Sequence, residues 1–147
     1  MHVLVTGGAG FIGGHLAEAF LDDGHEVTTL DILEPFYDTG LKRHNIDAAR
    51  NATESDDQYE FIEGSTTDTD LVDDIMEDID IVYHQAAQAG VRASVEEPTK
   101  VTEYNINGSQ TILEAARKHD VNRVVNASSS SVYGKPQYLP YDEDHPH

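Results

Sequence analysis

The stretch Met1-His-Val-Leu-Val-Thr6, followed directly by Gly7-Gly-Ala-Gly10-Phe-Ile-Gly13, decides the fold of this chain. The first segment is rich in aliphatic and β-branched residues, which is typical of a short buried strand. An amphipathic run begins after the glycines, so they occupy a turn between a strand and a helix. In that context the Gly-x-x-Gly-x-x-Gly spacing indicates a dinucleotide site, and the alternative is a tight turn without a ligand.

Each glycine of this motif has its own physical reason. Gly7 permits the tight turn, Gly10 lets a pyrophosphate approach the backbone, and Gly13 lets the helix lie close to the strand. The helix that starts at Phe11 and Ile12 offers unpaired main-chain N–H groups and the positive end of its dipole to the phosphates. The pattern therefore predicts a diphosphate bound over this turn.

A second strand, Glu26-Val-Thr-Thr-Leu-Asp31, ends on an acid. If the first two strands pair in parallel, Asp31 lies close to the glycine turn. A carboxylate there accepts hydrogen bonds from both ribose hydroxyls of an adenosine and repels a 2′-phosphate. No Arg follows directly, so we predict NAD rather than NADP. The alternative is that Asp31 caps a turn or a helix.

The rest of the chain alternates strand and helix patterns. We predict further strands at residues 58–63, 80–84 and 122–127, and helices over residues 41–52, 68–78 and from Pro98 to about His119. With right-handed crossovers, this alternation predicts a doubly wound, Rossmann-type α/β fold with a parallel sheet in the order 3-2-1-4-5. Residues 1–134 form this domain, and residues 135–147 form an irregular tail in which His145 and His147 are expected to be flexible.

Helix periodicity also assigns inward faces. In the first helix, Ile12, Leu16, Ala19 and Phe20 recur on one face, which we expect to be buried. In the last helix, Asn105 and Gly108 lie on the sheet-facing stripe. A buried Asn needs partners, which the backbone or the cofactor region must supply.

Two further stretches follow predicted strands. The residues 85–94 are small and mostly uncharged, so a ligand can lie against their backbone. The run Ser128-Ser-Ser-Ser131 places four hydroxyls at a strand end, either in the ligand crevice or in a polar turn. The basic cluster Lys42-Arg43-His44 either contacts phosphates or lies solvated in a loop, and we favour the solvated loop.

Composition restricts the partners. The chain has 9 Lys+Arg against 28 Asp+Glu, a formal net charge of −19, which argues against nucleic acid or an anionic membrane as a partner. We attribute this charge to a halophilic surface. The chain has no Cys, no apolar run of 18 residues and no basic leader, so we predict a cytoplasmic protein. The dispersed histidines do not indicate a metal site.

The assembled motifs resemble the extended short-chain dehydrogenase/reductase family, in particular its nucleotide-sugar epimerases and dehydratases. Thr6-Gly-Gly-Ala-Gly-Phe-Ile-Gly13 is similar to the cofactor fingerprint, and Asp31 stands at the ribose-binding position. Similar segments are His84-Gln-Ala-Ala87 beside the nicotinamide ribose, Asn105-Ile-Asn-Gly108 in a helix, and Ser128-Ser-Ser-Ser-Val-Tyr-Gly134 in the hydroxyl-bearing loop. The resemblance implies a catalytic hydroxyl on Ser129, and NAD contacts from Gly7, Gly10, Phe11, Ile12, Gly13, Asp31, Ser65, Thr66, His84, Ala86, Ala87, Asn105 and Ser128.

Two departures from the family pattern limit this resemblance. Gly64-Ser65-Thr66 stands where the family often has Gly-Asp-Ile, so a Ser hydroxyl must replace a carboxylate near the adenine. The family's catalytic Tyr-x-x-x-Lys is absent, because none of the seven Tyr residues has Lys four positions later. We therefore expect an NAD-binding portion that ends before the catalytic helix and the substrate domain, and that is inactive alone.

For the whole enzyme, the resemblance implies C4 epimerisation of a UDP-sugar through a transient 4-keto intermediate, and a homodimer. The run Ala86-Ala-Gln-Ala-Gly-Val-Arg92 resembles UDP-glucuronate 4-epimerases most. Two alternatives stay open, a non-catalytic NAD-binding sensor domain and a dTDP-sugar 4,6-dehydratase. Dehydratases usually carry an acidic pair where this chain has Ser130 and Ser131, which favours an epimerase.

Overall fold

A computed structural model of the chain describes residues 1–53 and 55–146. The strands are β1 (His2–Thr6), β2 (Glu26–Asp31), β3 (Tyr59–Glu63), β4 (Ile81–His84) and β5 (Arg123–Asn126). The α-helices are α1 (Phe11–Asp22), α2 (Thr39–Asn51), α3 (Thr69–Ile75), α4 (Val91–Glu96), α5 (Pro98–Thr102) and α6 (Gly108–Lys118). Short 3₁₀ turns cover Asp56–Gln58, Met76–Asp78 and Ser130–Tyr133, and a π-helical turn, Glu103–Asn107, joins α5 to α6.

The strands form one parallel sheet in the order β3-β2-β1-β4-β5, as predicted. The central strand β1 pairs on both sides, so that Thr6 stands opposite Leu30 of β2 and His84 of β4. The chain leaves β1 in one direction and returns to its other side through β4. This reversal makes the carboxyl end of β1 the topological switch point, where ligands bind in open α/β sheets.

The core has one layer on each face of the sheet. Helices α3 and α6 cover one face through a cluster that contains Leu4, Leu30, Val72, Val82 and Ile112. Helices α1 and α2 cover the other through Val3, Val5, Ala17, Leu21, Val27 and Ala49. Successive residues of β1 thus enter opposite layers, which explains why this central strand has an uninterrupted apolar sequence.

The buried face of α1 differs from the predicted one. Gly13, Gly14, Ala17 and Leu21 are buried, whereas Ile12 is 61% exposed and Ala19 is exposed. Leu16 and Phe20 pack at the edge of the core. The prediction was wrong for Ile12 and Ala19 because apolar periodicity ignores glycine, and here Gly13 packs against the glycine turn and Gly14 against Asn45 of α2.

The other helices follow their predictions with local differences. Helix α2 begins at Thr39, where Asp38 Oδ1 accepts from Gly40 N at 2.8 Å. Asp68 caps α3, since its Oδ1 accepts from Leu71 N at 3.2 Å. The predicted long helix after Pro98 is interrupted by the π-helical turn, and α4 occupies the end of the stretch predicted as a loop.

The tail contains a packed histidine. His145, which we expected to be flexible, is 2% exposed. Its ring centroid lies 5.4 Å from that of Tyr133, 4.7 Å from that of Tyr138 and 5.0 Å from that of Tyr141. The Gln137 N–H donates to its Nε2 at 3.1 Å. The spacing of these aromatic residues along the chain matches neither a helix nor a strand period, so the sequence did not indicate the cluster. The other histidine of the tail, His147, lies outside the described residues.

Within residues 1–53 and 55–146, no helix is long and apolar enough to cross a membrane. No group of three or more His, Cys, Asp or Glu side chains in the same part of the chain is arranged to hold a metal ion.

Candidate functional site

The glycine turn after β1 is built so closely that side chains cannot enter it. Gly7 has φ +67°, and its N–H donates to Leu30 O at 2.7 Å. A Cβ on Gly7 would lie 2.9 Å from Ala86 N, and one on Gly13 would lie 2.2 Å from Gly7 O. Both contacts are to backbone that cannot move aside, so the turn requires glycine at these positions.

Two more glycines take part, and the sequence motif did not single them out. A Cβ on Gly8 would lie 2.4 Å from Thr29 Cβ, and one on Gly14 would lie 3.0 Å from Asn45 Cβ. Asn45 of α2 also donates from Nδ2 to the carbonyls of Ala9, at 3.0 Å, and Gly10, at 3.2 Å. The second helix therefore holds the turn from outside.

The amino end of α1 presents free main-chain donors. Gly10 is its N-cap and supplies no side-chain acceptor, and the first amides of a helix have no intrahelical partners. The side chains of Phe11 and Ile12 point away, with 73% and 61% exposure. These residues thus present N–H groups rather than side chains toward a ligand, which is the arrangement that binds phosphate.

Asp31 lies at the carboxyl end of β2 and is 7% exposed. Its Oδ1 accepts from Leu33 N at 2.8 Å, so Asp31 also caps the turn that follows β2, which was the alternative role. Its Oδ2 accepts from Ala9 N at a long 3.3 Å. A carboxylate has about four lone-pair sites, so Oδ2 keeps capacity for a ligand hydroxyl.

Lys42 is buried, so the prediction of a solvated basic cluster was wrong for this residue. It lies on α2, is 7% exposed, and places Nζ 3.0 Å from Asp31 Oδ1. Its Nζ also lies 5.5 Å from the ring centroid of Tyr37. The sequence showed three consecutive basic residues but not that α2 folds back over the end of β2, which buries only the first of them.

These elements surround one cleft at the switch point. The predicted site residues that line it are Gly7, Gly10, Asp31, Ser65, Thr66, Ala86 and Ala87. Gln88, from the predicted stretch 85–94, also lines it, and sequence reasoning missed Glu34, Phe36, Tyr37, Lys42 and Tyr104. Glu34 Oε1 accepts from Lys100 Nζ of α5 at 2.9 Å, and this contact raises the pKa of Lys100.

The segment after β3 forms another wall. Ser65 Oγ accepts from Thr67 N at 3.1 Å and lies 2.8 Å from Thr67 Oγ1, so its hydroxyl is held in a local turn. Thr66 is 7% exposed and packs on Gly108, where an added Cβ would lie 2.4 Å from Thr66 Oγ1. The glycine of the Asn-x-x-Gly motif thus lets α6 approach this wall.

His84 lies behind the cleft rather than in it. It is 3% exposed, with Nδ1 2.6 Å from Thr6 Oγ1 and Nε2 2.9 Å from Ser109 Oγ. Ser109 donates its only hydroxyl proton to Asn105 O at 2.8 Å, so it accepts from His84 Nε2–H. The network therefore assigns a neutral His84 whose Nδ1 accepts from Thr6. Burial lowers the pKa of His84, in agreement with the neutral form.

This chain of bonds ends at the cleft. Because the Thr6 hydroxyl donates to His84, its oxygen accepts from Ala86 N at 3.1 Å. Asn105 acts in parallel on the next residues, accepting from Gln88 N at 2.7 Å and donating to Gln88 O at 3.1 Å. The partner that we expected Asn105 to need is thus backbone. Both side chains position the loop after β4.

Ser128 and Ser129 are exposed at the carboxyl end of β5, outside the residues that line the cleft. Ser129 caps the short turn that follows, since its Oγ accepts from Ser131 N at 3.2 Å and donates to Ser131 Oγ at 3.2 Å. The hydroxyls lie on the same edge of the sheet as the glycine turn, two strands away.

A family model described as the NAD dependent epimerase/dehydratase family matches residues 3–147. The chain belongs to this family. The match confirms the resemblance drawn from the motifs, and the family description names the cofactor that we predicted. The switch-point cleft is accordingly the candidate cofactor site of an epimerase/dehydratase.

Relatives and solved structures agree with this assignment. A putative UDP-glucose 4-epimerase of Methanocaldococcus jannaschii is 42% identical over 146 residues, which make up 98% of this chain and 43% of the relative. UDP-glucuronic acid 4-epimerase of Bacillus cereus, solved with UDP-glucuronic acid and NAD, has a TM-score of 0.83 and 35% identity over 98% of this chain and 45% of that one. UDP-glucose 4-epimerase of Thermus thermophilus, solved with NAD, has a TM-score of 0.80 and 36% identity over 99% of this chain and 44% of that one. The chain thus spans less than half the length of these relatives.

Proposed function

We propose that residues 1–134 form the NAD-binding domain of a nucleotide-sugar 4-epimerase. One observation carries the proposal: Gly7 and Gly10 of the glycine turn, the second of which is the N-cap of α1, line one cleft at the switch point together with Asp31 at the end of β2. Main-chain donors beside a buried carboxylate suit a diphosphate next to a ribose diol. The further division, with residues 135–147 as a separate tail, is part of the same proposal.

The described residues fit NAD group by group. The first amides of α1 would hold the diphosphate. Gly7 and Gly10 would let it approach, because neither carries a Cβ. Asp31 would hold the adenosine ribose, and Ser65 and Thr66 would border the adenine. Ala86, Ala87 and Ser128 would lie toward the nicotinamide half, with the first two held in place through His84 and Asn105.

Bound NAD supplies a reversible oxidation, and the chain supplies binding and orientation. Ser129 would donate a hydrogen bond to the reacting sugar oxygen of a UDP-sugar. The 147 residues contain no Tyr-x-x-x-Lys to take the sugar proton, so we expect NAD binding without turnover. Two further parts of this proposal are a cytoplasmic location and a homodimeric whole enzyme.

Calorimetry of the 147-residue chain with NAD and NADP tests the cofactor. We expect NAD to bind more tightly, because Asp31 disfavours a 2′-phosphate, and we expect Asp31→Ala to weaken NAD binding. Failure of NAD to bind the folded chain would contradict the proposal.

A second assay addresses the chemistry, by incubating the NAD-loaded chain with UDP-glucuronate and with UDP-glucose. We expect no epimer from either sugar. Epimer formation by the purified chain would overturn the expected inactivity. A dehydratase would instead release a 4-keto-6-deoxy sugar once a catalytic Tyr and Lys are present in the protein.

A further inference from the structure

Lys42 is a buried cation at the cleft whose presence the proposed function leaves unexplained. Its side chain is 9% exposed and that of its partner Asp31 is 6% exposed, with Nζ 3.0 Å from Oδ1. Lysine is almost never fully buried unless it is paired, and even a buried ion pair carries a large desolvation cost. A turn cap for Asp31 does not need it, since Leu33 N already fills that role at 2.8 Å.

The ion pair leaves hydrogen-bonding capacity on both partners. An ammonium has three donors, and among the described residues the Asp31 Oδ1 is the one acceptor of Lys42 Nζ. Within residues 1–53 and 55–146, Oδ1 of the carboxylate has two donors, whereas Oδ2 has only Ala9 N, at 3.3 Å. Both residues line the cleft, so an open acceptor and open donors stand side by side at its wall.

We propose that Lys42 is a cofactor-binding residue that holds the adenosine ribose together with Asp31. This inference rests on the proposed function. Each hydroxyl of a vicinal diol can both donate and accept, so one hydroxyl donates to Asp31 Oδ2 while one accepts from Lys42 Nζ. The Tyr37 ring, 5.5 Å from Nζ, covers the ammonium on another side and limits where its remaining protons can point.

The test measures how tightly variants of the chain bind NAD and analogues of NAD. The variants are Lys42→Met, which keeps the aliphatic stem, Lys42→Arg, which keeps the charge, and Arg43→Met, which removes an exposed cation from the same helix. The ligands are NAD and its analogues that lack the 2′- or the 3′-hydroxyl on the adenosine ribose. Calorimetry measures each affinity, and thermal melting checks that each variant is folded.

We expect Lys42→Met to weaken NAD binding about tenfold to hundredfold, the range of a lost hydrogen bond to a charged group. Arg43→Met leaves the affinity unchanged, and Lys42→Arg retains part of it. One of the deoxy analogues binds the native chain more weakly than NAD does. The Lys42→Met variant binds that analogue as tightly as it binds NAD, because the hydroxyl of NAD no longer has the Lys42 donor.

The proposal is overturned if Lys42→Met binds NAD as the native chain does. It is also overturned if both deoxy penalties persist unchanged in Lys42→Met, since Lys42 would then act only on the structure. If Lys42→Met does not fold, Lys42→Gln takes its place in the same comparison. A native chain that binds no NAD would contradict the proposed function instead, so the two failures are distinguishable.

Discussion

Thr6 Oγ1 lies 2.6 Å from His84 Nδ1 and 3.1 Å from Ala86 N, so a single hydroxyl joins the central strand to the loop that borders the cleft. Thr6 is fully buried. A buried hydroxyl with both a donor and an acceptor partner fixes the relative position of the groups it joins. The end of β1 therefore determines both the glycine turn and the position of the segment opposite it.

Thr6→Val tests this junction with a nearly isosteric change. It leaves the Ala86 N–H and His84 Nδ1 without partners, so we expect the free energy of unfolding to fall by about 1–3 kcal/mol. NAD affinity should fall as well, because Ala86 loses its anchor. Denaturant titration and calorimetry measure the two effects. Thr28→Val is the matched control, since Thr28 bonds the His2 ring on a neighbouring strand, away from the cleft, and NAD affinity should not change in it.

The neutral state of His84 predicts a pH dependence. Its pKa is lowered by burial, whereas an unfolded histidine titrates near its ordinary value of about 6.5. When the pH falls below the pKa of the unfolded histidine, the unfolded chain binds a proton that folded His84 does not bind. The free energy of unfolding therefore decreases as the pH falls further. The slope approaches about 1.4 kcal/mol per pH unit between the two pKa values.

The measurement is denaturant unfolding of the native chain and of His84→Asn between pH 8 and pH 5, chosen as roughly the range around a histidine pKa. Carboxylates contribute to both proteins equally, so the native chain should lose more stability than the variant on acidification. His15→Asn, which removes an exposed histidine, should keep the native slope. Equal slopes for the native chain and His84→Asn would refute the assignment of a neutral, buried imidazole.

Gly13→Ala tests the packing of α1 on the turn. The new Cβ would lie 2.2 Å from Gly7 O, so the helix must move away from the carbonyl and the first amides of α1 move with it. We expect a loss of about 1–3 kcal/mol in stability and weaker NAD binding. In Gly40→Ala the Cβ meets a movable Asp38 side chain at 3.0 Å, so stability should stay within about 1 kcal/mol of native. A Gly13→Ala chain that binds NAD with native affinity would show that the turn tolerates a side chain.

The sequence was sufficient for the order of the strands because strand and helix patterns alternate along it, and right-handed crossovers between parallel strands leave few possible arrangements. It was also sufficient to place Asp31 beside the glycine turn, since this acid is the last residue of a strand, and to predict that Asn105 needs hydrogen-bond partners. Lys42 was not predictable, because its burial depends on where α2 returns over the sheet after an irregular connection. The Glu34–Lys100 pair joins residues 66 apart, and no local pattern indicates such a contact.

Glycine limited the sequence reasoning in a different way. Apolar periodicity gives it no weight, yet Gly13 and Gly14 form the inward face of α1. The aromatic cluster around His145 was missed for a related reason, since its Tyr side chains come from an irregular segment without a period. At Gly13 the contact is decided by how closely two backbones approach one another, and at His145 by the path of an irregular segment, neither of which residue type alone encodes.

The acidic surface predicts that stability rises with salt. With a formal net charge of −19, self-repulsion opposes the folded state, and its range shrinks from about 10 Å at 0.1 M salt to about 3 Å at 1 M. We expect the melting temperature to increase steadily in KCl. A variant in which Lys replaces the exposed Asp22, Asp74 and Glu103 has a formal net charge of −19 + 6 = −13. We expect this variant to melt at a higher temperature than the native chain in low salt. Its melting temperature should also depend less on the KCl concentration. If the native chain is fully stable in low salt and its melting temperature does not respond to KCl, the halophilic interpretation of the surface is wrong.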